Sequence, residues 1–93
     1  MDPFVEAVQN TRNELYRRDF DPTGAIVYCH PDTLEAAKQE MDYLQPFTHG
    51  GEIFGMTIEA TPNVPENIVA TVHLNAVMYG PEAVQFAPVR ADD

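Results

Sequence analysis

The apolar pattern predicts an α+β domain in which two main helices pack on a small mixed or antiparallel sheet. Two segments repeat apolar residues at helical spacing, and the second half alternates at strand spacing. No repeat, linker or low-complexity stretch divides the 93 residues, so the chain reads as one domain over 1–93.

Asp2 followed by Pro3 opens the first helix, a carboxylate cap and then a residue that needs no backbone donor. Phe4, Val8, Thr11 and Leu15 follow as one apolar stripe, flanked by Val5 and Tyr16. Arg17 and Arg18 close the helix where cations suit its carbonyl end. The stretch from Asp19 to Gly24, with Pro22, breaks it. Ala25 to Cys29 is a short apolar run that reads as a strand buried on both faces. His30 to Thr33 joins it to a second helix, opened by Pro31 or Asp32, whose buried face is Leu34, Ala37, Met41 and Leu44.

A loop from Gln45 to Gly51 follows. Glu52 to Thr61 then alternates, with Phe54, Met56, Ile58 and Ala60 expected on one face and Ile53, Thr57 and Glu59 on the other. Thr61 to Asn67 is a turn built on Pro62, Asn63 and Pro65. Ile68 to Leu74 alternates again, with Ile68, Ala70, Val72 and Leu74 expected inward and Thr71 and His73 outward. The two strands read as an antiparallel hairpin. Asn75 to Glu82 is a short helix or bridge ended by Gly80-Pro81. The last strand, Ala83 to Val89, is expected to turn Val84 and Phe86 inward, and 90–93 is a frayed acidic tail.

Composition narrows the partners. Fifteen acidic residues face five basic ones, for a net charge of -10. Such a surface repels phosphate backbones and anionic lipids, which argues against nucleic acid and membranes. No run is apolar enough to span a bilayer and no signal pattern opens the chain, so a cytoplasmic protein is expected. Scarce lysine with excess acid also resembles proteins of salt-loving cells. A domain this small has a thin stability margin, and a single cysteine, Cys29, cannot staple it internally. Oligomerisation is the remaining common remedy.

The search for chemistry returns no catalytic residue, cofactor or metal site. Cys29 and His30 are adjacent, but neighbours on a strand point to opposite faces, so no thiolate–imidazole pair is expected. Cys29 reads as a buried structural cysteine. His30, His49 and His73 lie in separate elements without paired ligand spacing. Gly50-Gly51 lacks the following Lys-Ser/Thr of a phosphate loop. The many carboxylates read as solvated surface.

Two stretches carry a resemblance. Asp21-Pro22-Thr23-Gly24-Ala25-Ile26-Val27-Tyr28-Cys29-His30-Pro31-Asp32-Thr33-Leu34-Glu35-Ala36-Ala37 resembles the strand-to-helix unit of tailed-phage major capsid proteins. Gly51 to Ile58, then Pro62-Asn63-Val64-Pro65, then Ala76 to Gly80 is similar to the second half of the same unit. Order and spacing agree from about Phe4 to Val89, although no single motif is diagnostic. The unit is the A-domain of the Hong Kong 97 capsid fold, shared with encapsulin nanocompartments. The family's N-terminal arm, extended loop and peripheral domain have no counterpart here. The chain therefore looks closest to the truncated A-domain encapsulins of archaea.

The resemblance implies a structural, non-enzymatic protein that assembles with copies of itself. Pentamer-type rings are implied, with a small shell around a cargo enzyme as the further form. It places Gln45, Pro46, Phe47, Thr48, His49 and Gly50 at the symmetry axis as a pore loop. The other class the sequence leaves open is a monomeric regulatory or phage-derived binding module of the same fold.

Overall fold

In a computed structural model of the protein, residues 3–40 and 51–90 are described. Helix α1 spans Pro3–Arg17, and strand β1, Ile26–Cys29, leads into helix α2, Pro31–Glu40. After it come β2 (Glu52–Ile53), β3 (Met56–Ala60), β4 (Ile68–Val72), a one-turn helix α3 (Ala76–Tyr79), a 3-10 turn (Gly80–Ala83) and β5 (Val84–Pro88). The α+β expectation holds, and the sheet is mixed. Its order is β2-β3-β1-β4-β5, with β1 parallel to β3 and antiparallel to β4.

The first helix follows the sequence closely. Phe4, Val8, Thr11 and Leu15 are all buried, joined by Ala7, because a 3.6-residue period puts them on one side. Arg18 and Phe20 donate backbone hydrogen bonds to Leu15 carbonyl oxygen and close the helix (3.1 and 2.8 Å). Asp19 takes a left-handed φ of 66° there, a conformation aspartate tolerates better than most side chains. In α2, Ala37 is buried and Leu34 packs against the same core as α1. Met41 and Leu44 lie outside the described residues, as does Asp2.

The strands correct the sequence reading in three ways. First, Glu52 to Thr61 is not one strand. Phe54 and Gly55 both have positive φ, 53° and 80°, and Ile53 pairs with Met56 across them. This is a two-residue hairpin turn of the kind that matches strand twist. Pairing across the turn puts Ile53 on the buried face with Met56, although the alternation assigned them to opposite faces. Phe54 is exposed in the turn, with the Arg12 guanidinium 5.6 Å from its ring centre.

Second, β3 and β4 do not pair with each other. Strand β1 lies between them, bonded to both, because the most apolar strand gains most from the centre of a sheet. Val27 and Cys29 are fully buried on its helix side, while Ile26 and Tyr28 are half-buried on the other.

Third, β4 is shifted by one position in facing. Val69 and Thr71 point into the helix-side core, whereas Ile68 and Val72 are half-buried and Leu74 is 64% exposed. A buried polar pair makes this facing tolerable for Thr71. Thr71 Oγ1 lies 2.7 Å from Thr11 Oγ1 of α1, and Thr11 Oγ1 donates to the Val8 carbonyl at 2.7 Å. A satisfied hydroxyl pair can occupy a core position that alternation reserves for apolar residues. Strand β5 inherits the shift through its register, Val69↔Ala87 and Ala70↔Phe86. Ala87 is therefore buried and Phe86 is 67% exposed, the reverse of the expectation for Phe86.

Candidate functional site

The topology leaves the two sides of the sheet unequal. One core joins Phe4, Ala7 and Val8 of α1 and Ala37 of α2 to Val27, Cys29, Met56, Ile58, Val69 and Ala87 of the sheet. Both long helices therefore share one side. Side chains alternate along each strand, so the opposite side carries an apolar group, Ile26 and Tyr28, then Ile68, Ala70 and Val72, then Val84 and Phe86, bordered on the β3 side by Thr57 and the exposed Glu59. Cross-strand pairs Ile26↔Val72, Tyr28↔Ala70 and Ala70↔Phe86 place them in adjacent rows. Within this apolar group Ala70 is buried, Phe86 is exposed, and the other five are half-buried. No described helix lies on this face.

A second apolar surface stands at the end of the sheet. Helix α3 and the 3-10 turn connect β4 to β5, and none of the residues of α3 is buried. Val77 is 100% exposed and Met78 80%, beside half-exposed Tyr79. The helix is fixed from beneath by an aromatic trio: Phe20 after α1, His73 after β4 and Tyr79 of α3. Their ring centres lie 5.0–5.9 Å apart in tilted and edge-on arrangements. The Asn75 N–H donates to His73 Nδ1 (3.1 Å), and Met78 and Tyr79 N–H both donate to the Asn75 carbonyl. Val77 and Met78 thus project from a held turn. Gly24 allows Leu74 to lie against it: a Cβ there would sit 3.1 Å from Leu74 Cδ1.

Of the residues considered for chemistry, Cys29 is wholly buried in the central strand, and burial pushes its thiol up to about 11. Its neighbour His30 turns to the start of α2, where Nδ1 accepts the Asp32 N–H at 3.1 Å. The two side chains have different surroundings, as strand alternation requires. The thiol shift has a consequence for stability. Above pH 9.0, the ordinary value, the unfolded chain loses the thiol proton while the folded chain retains it. Stability is therefore expected to fall between about pH 9 and 11, by on the order of 2 kcal/mol. Urea titrations at both ends of that window should show the loss in the natural protein and a smaller one in Cys29→Ala.

Among the described residues, the fold gathers one set of metal-ligand types that sequence spacing did not reveal. His30, Asp32 and Glu66 each offer an atom within 4.8 Å of the others. The signal was invisible because Glu66 comes from the β3–β4 turn, held to α2 by the Asn67 N–H donating to Thr33 Oγ1 at 2.9 Å. Both carboxylates are exposed, and the His30 Nδ1 lone pair is engaged by a backbone donor. A separate shallow pocket of about 240 Å³ lies between the start of α1 and the end of β5, lined by Pro3, Glu6, Ala7, Asn10, Pro88 and Arg90. It is below the ~300–1,000 Å³ usual for small-molecule sites.

The predicted axis loop, Gln45, Pro46, Phe47, Thr48, His49 and Gly50, lies outside the described residues, as does the tail beyond Arg90. The apolar surfaces at α3 and on the open sheet face were missed at the sequence level. Val77 and Met78 looked like bridge residues, and Phe86 looked inward. Among the described residues, no helix is long and apolar enough to cross a membrane. No protein-family model, curated protein or solved structure matches this chain.

Proposed function

We propose that the protein is a structural, self-associating domain of the cytoplasm, of the capsid A-domain type, rather than an enzyme. Its primary assembly is a pentamer-type ring, and its higher form is a small encapsulin-like shell that encloses a cargo enzyme. The observation that carries this reading is the outward projection of Val77 and Met78 from a fixed turn, with Phe86 exposed on a sheet face that bears no helix among the described residues. Apolar side chains displayed this way are costly in water, and contiguous groups of them mark interaction surfaces. The colinear capsid resemblance supplies the type of assembly.

Charge sets how that assembly depends on conditions. Copies carrying -10 each repel one another, and salt shortens the reach of that repulsion from ~30 Å at 0.01 M to ~3 Å at 1 M. Assembly is therefore expected to strengthen as ionic strength rises. Size-exclusion chromatography with light scattering, run at both extremes, tests the reading. A multiple of 10.4 kDa that grows with salt supports it. A monomer at both extremes overturns it and favours a binding module that presents the same surfaces to another protein.

A further inference from the structure

Resting on the self-association just proposed, we infer that the interface is head-to-tail, with helix α3 of one copy seated on the open sheet face of the next. The occupant of the open face is thus a second copy of this chain. The two surfaces differ in form and position. One is a projecting turn at the end of the sheet, tipped by Val77 and Met78. The other is the flat side of β1, β4 and β5, where Tyr28, Ala70 and Phe86 form one row beside the row of Ile26, Val72 and Val84. The aromatic trio pins α3 beside Phe20 at the end of α1, and the turn's fully exposed tip shows that it does not cover its own sheet.

Area and charge both favour a copy of the same chain. Leu74, Val77, Met78, Tyr79 and Phe86 expose apolar surface on the order of 600 Å², and the half-buried residues of the sheet face add to it. A standard interface buries ~1,600 Å² over both partners, of which a little over half, ~900 Å², is apolar. The two surfaces together approach that figure. Charge then decides the route by which such an acidic protein can meet itself. From Asn67 to Val89 the chain holds one charged residue, Glu82, although it has twenty in all. Helix α3 and the β4 and β5 rows of the sheet face lie in this stretch, so docking centred on them desolvates little like charge, while Glu59 beside Tyr28 marks the acidic border of the face on the β3 side. Because the two patches differ, the contact is heterologous, and repeating it closes a ring or extends a filament.

Complementation between two defective variants tests this geometry. Val77→Asp with Met78→Asp destroys the projecting turn and leaves the sheet face intact. Phe86→Asp does the opposite, with Phe86→Ser as the milder substitute if circular dichroism shows a lost fold. Each variant alone is expected to run as a monomer under conditions where the natural protein assembles. Their equimolar mixture is expected to form a dimer, because one intact turn meets one intact face and the chain of contacts stops there. If the natural protein assembles but the mixture stays monomeric, or if either variant assembles normally, the head-to-tail interface is wrong and self-association stands by itself. A monomeric natural protein removes both.

Discussion

Phe4→Ala is expected to lower the unfolding free energy by about 3–5 kcal/mol, the usual cost of truncating a buried phenylalanine. Phe4 is 1% exposed and belongs to the single core between α1 and the sheet. The loss combines the transfer free energy of the ring with the cavity it leaves. A domain of this kind has about 5–15 kcal/mol in total, so the variant should be partly unfolded at physiological temperature. Urea unfolding followed by circular dichroism reads the change directly. A cost below about 1 kcal/mol would show that the α1 stripe does not form the core.

The second large effect concerns the buried threonine pair, and it is expected to be asymmetric. Thr11 Oγ1 uses its one proton on the Val8 carbonyl, so Thr71 must be the donor between the two hydroxyls. Thr11→Val then leaves the Thr71 hydroxyl buried without an acceptor, at a cost of about 1–3 kcal/mol. Thr71→Val leaves Thr11 still satisfied by Val8 and should cost less, about 0.5–1.5 kcal/mol. The double variant should be more stable than Thr11→Val alone, since no stranded donor remains. Equal single-site costs that simply add would show that the hydroxyls do not depend on each other. The four proteins of this cycle, unfolded in urea under one buffer, decide the matter.

The same pair explains why part of the fold was hidden from the sequence. In α1, period and chemistry agreed: every stripe position, Thr11 included, was assigned inward and is buried. In β4 the buried positions are Val69, Ala70 and Thr71, although alternation favoured the wholly apolar phase Ile68, Ala70, Val72 and Leu74 over the one that holds Thr71 and His73. The wrong phase put Thr71 outside because nothing local reveals a partner sixty residues away. Phe54-Gly55 was hidden for a different reason. Asparagine or aspartate before glycine announces a two-residue hairpin, whereas phenylalanine in that place reads as one more strand residue. The candidate interface was hidden by the strand phases, since β4 was faced the wrong way and the last strand was read with Phe86 inward.

From its residues alone this chain determined its class, its first helix, the presence of strand β1 though not the half-exposure of its Ile26 and Tyr28 face, the acidic charge and the burial of Cys29. Those features rest on local periodicity and net charge, which neighbours along the chain are enough to set. Tertiary structure decided the sheet order, the facing of β4 and β5, and the meeting of His30, Asp32 and Glu66. It also decided which apolar side chains the fold could not cover. Such features depend on pairings between distant segments, where a single hydroxyl contact or one reversed turn changes which side of a strand meets water.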